Sequence, residues 1–185
     1  MGTTHNHDLP AASTLLETDQ YPSINATTSR GAYITGAQGR TFFNSGVVNA
    51  TAATLTVTNA THAGRTITLN RAAGVAVTLP AATGTGARFT FVNGTTITSA
   101  STTIKVPDAN GTMSGTAWMA SDNAADAAIA FEAGSTADTI TMNGSTTGGL
   151  IGDRIDLIDI GTDKWCVQAF LQGTGTEATP FSATV

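Results

Sequence analysis

The chain predicts an all-β fold, a β-sandwich or a jelly-roll-like β-barrel, led by an irregular N-terminal arm. Three observations predict it. Apolar residues recur with period two through the last two-thirds of the chain. The residues between them are mostly threonine, which is β-branched and suits a pleated, half-buried surface. Short runs are separated by Gly, Asn, Asp or Pro, the punctuation of a sandwich or barrel.

Taken in order, residues 1–48 lack regular periodicity and form the arm. They hold His5, His7, Tyr21, Tyr33, Phe42 and Phe43. A short helix is predicted over 10–17. The aromatic residues Tyr21, Tyr33, Phe42 and Phe43 are the anchors such an arm would use on a partner. Residues 49–185 form the β domain, in which the part from about 115 is either the rest of the same sheet or a second packed sub-module. Leu55 and Val57 alternate with threonines, as do Ile67 and Leu69. Val75, Val77 and Leu79 follow, then Phe89 and Phe91, Ile97, and Ile104 with Val106. Each run sets apolar side chains on one strand face and small polar ones on the other.

Asn-Gly occurs at Asn93-Gly94, Asn110-Gly111 and Asn143-Gly144. This dipeptide tolerates the positive φ of a type I′ turn, so the first and last predict hairpins and the second a loop. Toward the C-terminus, Ile129 and Phe131 predict one strand, and Ile155, Leu157, Ile158 and Ile160 another. Trp165, Val167, Ala169 and Leu171 alternate and should point inward together. Cys166, Gln168 and Phe170 then point outward, and Phe170 is an apolar residue that a subunit interface would cover. Residues 124–130 have helical propensity, but without a capped apolar stripe they predict a loop leading into a strand.

Composition narrows the function. Only 11% of residues are charged against roughly 25% in an average protein, and 6% are aromatic. Small side chains bury little apolar area each, so self-association or docking would help the fold. The net charge is −5, and the eight basic residues are scattered from Arg30 to Lys164. That excludes a phosphate-tracking surface and predicts no nucleic-acid partner. No apolar run has the roughly 20 residues of a membrane span, so no membrane partner is expected. No signal peptide is visible, and a single cysteine, Cys166, forms no intrachain disulfide.

The candidates for chemistry are weak. His5 and His7, alternate residues of an extended segment, share a face, but the prediction is no bound metal. His62 is expected in an exposed turn. Asp153, Asp156, Asp159 and Asp163 cluster in sequence without calcium-loop spacing, and are expected at strand edges and turns. There is no Gly-x-Ser-x-Gly elbow and no P-loop lysine. The Asn-x-Ser/Thr triplets starting at Asn25, Asn49, Asn59, Asn93, Asn110 and Asn143 are turn residues. The expectation is a non-enzyme with no cofactor.

Several segments carry a resemblance. They are Ile67-Thr-Leu-Asn-Arg-Ala-Ala-Gly74, Val77-Thr-Leu-Pro-Ala-Ala-Thr-Gly-Thr-Gly86 and Phe89-Thr-Phe-Val-Asn-Gly-Thr95. Asp138-Thr-Ile-Thr-Met-Asn-Gly-Ser-Thr-Thr-Gly-Gly149 and Gly173-Thr-Gly-Thr-Glu-Ala-Thr-Pro-Phe-Ser182 join them. Over residues 64–185 the chain resembles a β module of tailed-bacteriophage structural proteins, among them capsid decoration (cement) proteins. The resemblance implies a virion protein made in the host cytoplasm and placed on the capsid surface. Its implied partners are the major capsid protein and itself, as a homotrimer at three-fold or quasi-three-fold sites. A head-fibre or tail-fibre component adhering to host glycans is the alternative. Tyr21, Tyr33, Phe42, Phe43 and Phe170 are the candidate capsid or subunit contacts.

Overall fold

The computed structural model describes residues 20–24, 31–35, 46–122 and 127–185. The chain divides into two units, Met1–Gly46 and Val47–Val185. In the first, β1 (Gln20–Ile24) and β2 (Gly31–Thr35) pair antiparallel, with Tyr21 opposite Ile34 and Pro22 opposite Tyr33. The lead segment is therefore not irregular throughout. Both strands carry tyrosine and isoleucine, which favour extended backbone even where strict alternation is missing. His5, His7, Phe42, Phe43 and the helix expected over 10–17 lie outside the described residues.

The second unit starts with β3 (Val48–Ala50), β4 (Thr54–Thr56) and a single helical turn, α1 (Asn59–His62). Then come β5 (Thr66–Leu69), β6 (Ala76–Thr78), β7 (Arg88–Asn93) and β8 (Thr102–Lys105). The rest is β9 (Thr112–Ser121), β10 (Ile129–Glu132), β11 (Thr139–Met142), β12 (Arg154–Gly161), β13 (Lys164–Gly173) and β14 (Phe181–Ser182). They form two mixed sheets packed as a β-sandwich. One is seven-stranded, ordered β10-β9-β13-β12-β7-β5-β3, and the other five-stranded, ordered β14-β11-β8-β6-β4. Each sheet draws strands from both sides of residue 115.

From β3 to β8 the chain alternates between the sheets. It lays β3, β5 and β7 parallel in one and β4, β6 and β8 parallel in the other. Parallel neighbours need long connections, and here each connection runs through the opposite sheet. The result is three stacked coils. In register, Val48, Ile67 and Phe91 stack in one sheet, and Leu55, Val77 and Ile104 in the other. The second ladder continues past the strand ends, where Val57 N–H donates to Thr78 O and Leu79 N–H to Lys105 O.

The remaining strands close the sandwich. β12 adds antiparallel to β7, β13 to β12, and β9 runs parallel beside β13. β11 adds antiparallel to β8, and β14 to β11. At Gly115, φ is +147° and a Cβ would lie 1.9 Å from the Val167 carbonyl oxygen, so β9 reaches β13 only without a side chain there. The inward positions of both sheets share one core. Ile67, Phe89, Phe91, Leu157, Trp165 and Val167 come from one side and Val77, Ile104, Ile140 and Met142 from the other. The expected inward set of Trp165, Val167, Ala169 and Leu171 is buried.

Neither predicted Asn-Gly hairpin forms. After Asn93-Gly94 and after Asn143-Gly144 the chain crosses to the opposite sheet. Gly144 has the positive φ of 80°, but its turn makes a corner between layers. The tight hairpin is β12–β13, where Gly161 pairs with Lys164 across Thr162-Asp163 and Asp163 takes φ 58°. Aspartate tolerates that left-handed conformation better than most residues.

Candidate functional site

The outer face of the seven-stranded sheet carries the surface most suited to adhesion. Its register aligns side chains in rows across the strands, because directly opposed residues point to the same side. One row runs Ala130, Trp118, Phe170, Arg154, Val92. The next runs Glu132, Thr116, Gln168, Asp156, Thr90. A third runs Ser114, Cys166, Ile158, Arg88. The strands are about 4.8 Å apart, and successive rows on one face about 6.8 Å apart.

The first row is aromatic. Trp118 is 53% exposed and Phe170 56%, on register-paired positions of β9 and β13. The second row is a line of hydrogen-bonding groups. Asp156 accepts from Thr90 Oγ1 at 2.7 Å, and is clasped by Arg154 through Nε at 2.8 Å and a terminal nitrogen at 3.0 Å. Two shallow depressions share Gln168. One, of about 230 Å3, is bounded by Trp118, Phe170, Cys166 and Thr116. The other, of about 380 Å3, is bounded by Arg88, Thr90, Arg154, Asp156 and Ile158.

Phe170 thus stands where the alternation placed it, exposed beside half-buried Cys166 and exposed Gln168. Its neighbour Trp118 did not emerge from the sequence reading. The signal existed: Met113, Ala117 and Met119 are buried at odd positions of β9, which sends Trp118 outward. Tyr21 and Tyr33 lie on the β1–β2 ladder of the first unit, and Phe42 and Phe43 fall outside the described residues.

The clustered aspartates do not meet at one site. Asp159 points inward from β12, 1% exposed. Its carboxylate accepts N–H bonds from Thr83 at 3.1 Å, Gly84 at 2.6 Å and Thr85 at 3.0 Å, and the Thr85 hydroxyl at 2.7 Å. Burial alone would raise its pKa. The four donors outweigh burial and hold it at about 2, below the ordinary 3.8. Asp153 accepts from the N–H groups of Gly149 at 2.7 Å, Leu150 at 3.1 Å and Gln172 at 3.0 Å. Here burial prevails over the hydrogen bonds, and the pKa is raised. Asp138 ties down the C-terminal residues through Thr184 N–H at 2.9 Å and Val185 N–H at 3.2 Å. Burial opposes its ionisation, but these bonds and that of the Thr139 hydroxyl lower its pKa. All three carboxylates are committed to holding loops, as an acceptor-only group among orphan N–H groups should be. Asp156 belongs to the outer face, and Asp163 to the hairpin turn.

His62 is a correction. It is 7% exposed, not in an exposed turn. The α1 turn folds its ring back, so that Nδ1 accepts the Thr58 N–H at 3.1 Å. A histidine flanked by small residues carries no sequence signal for that return. Among the described residues, no three His, Cys, Asp or Glu side chains gather as metal ligands, and no helix is long and apolar enough to cross a membrane.

No protein-family model, curated protein or solved structure matches the chain.

Proposed function

We propose that this chain is a virion structural protein of the capsid-decoration type, a non-enzymatic adhesive body that binds the outside of a phage head and stabilises it. The observation that carries the reading is the division at Gly46. It separates a compositionally distinct lead segment from a two-sheet body whose buried carboxylates are occupied in bracing loops. A body whose buried aspartates Asp138, Asp153 and Asp159 each brace a loop suits adhesion better than turnover. The resemblance over residues 64–185 points the same way. In this reading the lead segment, with Tyr21, Tyr33, Phe42 and Phe43, binds the major capsid protein, and the chain assembles as a homotrimer on the capsid surface.

The test is cosedimentation with undecorated heads. The full chain should pellet with heads at a copy number comparable to the shell protein. A chain lacking residues 1–46 should stay folded by circular dichroism and remain in the supernatant. Equal binding by the truncated chain, or a few copies per head for the full one, would overturn the reading.

A second reading, a head- or tail-fibre component adhering to host glycans, is favoured by one observation. Trp118 and Phe170 stand exposed in one row beside a row of hydrogen-bonding groups.

A further inference from the structure

We infer that the outer face of the seven-stranded sheet is a binding site for an acidic saccharide. The ring would lie on Trp118 and Phe170, and its carboxylate would face Arg154. This deepens the adhesive reading and rests on it, but it concerns a different part of the chain from the segment proposed to hold the capsid.

A pyranose presents an apolar C–H face and a rim of hydroxyls that both donate and accept. The face supplies a counterpart to each. Trp118 and Phe170 offer more than half-exposed aromatic surface on adjacent strands, and aromatic rings contribute large contact area at small entropic cost. One row away, about 6.8 Å along the strands, Thr116, Gln168 and Asp156 offer both donors and acceptors. A protein partner with an acidic surface would need the cations but not these acceptors. The depressions sharing Gln168 lie between the two kinds of group.

Charge selects the acid. The chain is net −5, yet the depression on β7 and β12 sets two guanidinium groups, Arg88 and Arg154, against one carboxylate, Asp156. Arg154 and Asp156 neutralise each other in that pair, which leaves Arg88 as the net positive charge of the depression and Nη1 of Arg154 as its nitrogen not bonded to Asp156. Arg154 is the next residue after Phe170 in the aromatic row, one strand spacing of about 4.8 Å away. A sugar ring stacked over Phe170 therefore directs a ring carboxylate at a guanidinium, the geometry for a charge-assisted bond. The opposing charge, Glu132, sits beyond Thr116 on the edge strand β10, at the far end of the hydrogen-bonding row from Arg88, and sets the polarity of the ligand. Phe170 becomes a ligand contact in this assignment and not a subunit contact.

The test titrates the full chain with oligogalacturonate, oligoguluronate and oligosialate, read by tryptophan fluorescence and calorimetry. At least one acid should bind in the millimolar range or tighter, and its methyl ester about tenfold more weakly. Trp118→Ala and Phe170→Ala should each weaken binding about tenfold with an unchanged thermal midpoint. Arg154→Gln should bind acid and ester alike. The proposal is overturned if none of the three acids binds, if ester and acid bind equally to the unmodified chain, or if Trp118→Ala has no effect. Tighter binding of oligothymidylate than of any sugar would also overturn it, as a stacking platform for bases. So would dissociation of an oligomer by the two aromatic substitutions together, which would make the face a subunit contact. Head cosedimentation of these variants stays at the level of the unmodified chain, so failure here is distinguishable from failure of the decoration reading.

Discussion

Replacing Asp159 with asparagine removes the charge that organises the loop before β7. The magnitude follows from the carboxyl's shift from 3.8 to about 2. At about 1.4 kcal/mol per unit, the ionised group stabilises the folded chain by up to about 2.5 kcal/mol. The amide adds a cost of its own. It has one acceptor oxygen, so its NH2 must face at least one of the donors at Thr83, Gly84 and Thr85. Asp159→Asn should therefore destabilise by about 2–3 kcal/mol at pH 7, seen as a fall of about 4–12 °C in the thermal midpoint. The sign with pH is fixed. A depressed carboxyl stabilises above 3.8 and loses that contribution as pH falls through about 2. The gap between parent and variant should thus narrow as urea melts are moved from pH 4 toward pH 2. Asp138, also lowered, and Asp153, raised and so opposite in sign, are present in both proteins and cancel. A gap that is independent of pH, or below about 0.5 kcal/mol at pH 7, would refute the assignment of the carboxylate as the loop's anchor.

Gly115→Ala should break the β9–β13 ladder, because its Cβ would meet the Val167 carbonyl at 1.9 Å; the expected loss is more than about 3 kcal/mol, read as insoluble or non-cooperatively melting protein. Of the two tryptophans, Trp118 is 53% exposed and Trp165 1%. Acrylamide should quench Trp165→Phe strongly and Trp118→Phe weakly, and equal quenching would contradict the placement of β9. His62→Ala should lose about 1–2 kcal/mol in urea melts by leaving the Thr58 N–H without its acceptor, whereas an exposed-turn histidine would lose almost nothing.

Strand faces were legible in the sequence because alternation is a local property. Phe89 and Phe91, or Trp165 through Leu171, need only their own neighbours to declare which side is inward. Connectivity was not legible. An Asn-Gly pair satisfies a corner between sheets as well as a hairpin, so Asn93-Gly94 and Asn143-Gly144 were misread while the Thr162-Asp163 hairpin carried no standard signature. Asp159, expected at a strand edge or turn, instead follows Ile155 and Leu157 into the inward positions of β12. Isoleucines 158 and 160 face outward and the aspartate inward, because the loop at 83–85 brings donors that no local pattern announces. The outer face was half read: Phe170 showed in its own strand, but its pairing with Trp118 depends on β9 and β13 running parallel, a contact spanning some fifty residues that only the fold reveals.

The alternation of β3 through β8 between layers has a consequence for how this molecule can change length. Both sheets terminate at the same end, with β3 and β4 as their outermost members. Successive turns meet only their immediate neighbours, as in solenoids. A tandem copy of residues 66–87 would therefore add one further turn between existing ones. It would preserve the stacking partners on each side and shift the outer segment outward by a single strand width. The body is built so that its reach could be extended in discrete increments, without redesigning the far end that bears the aromatic row.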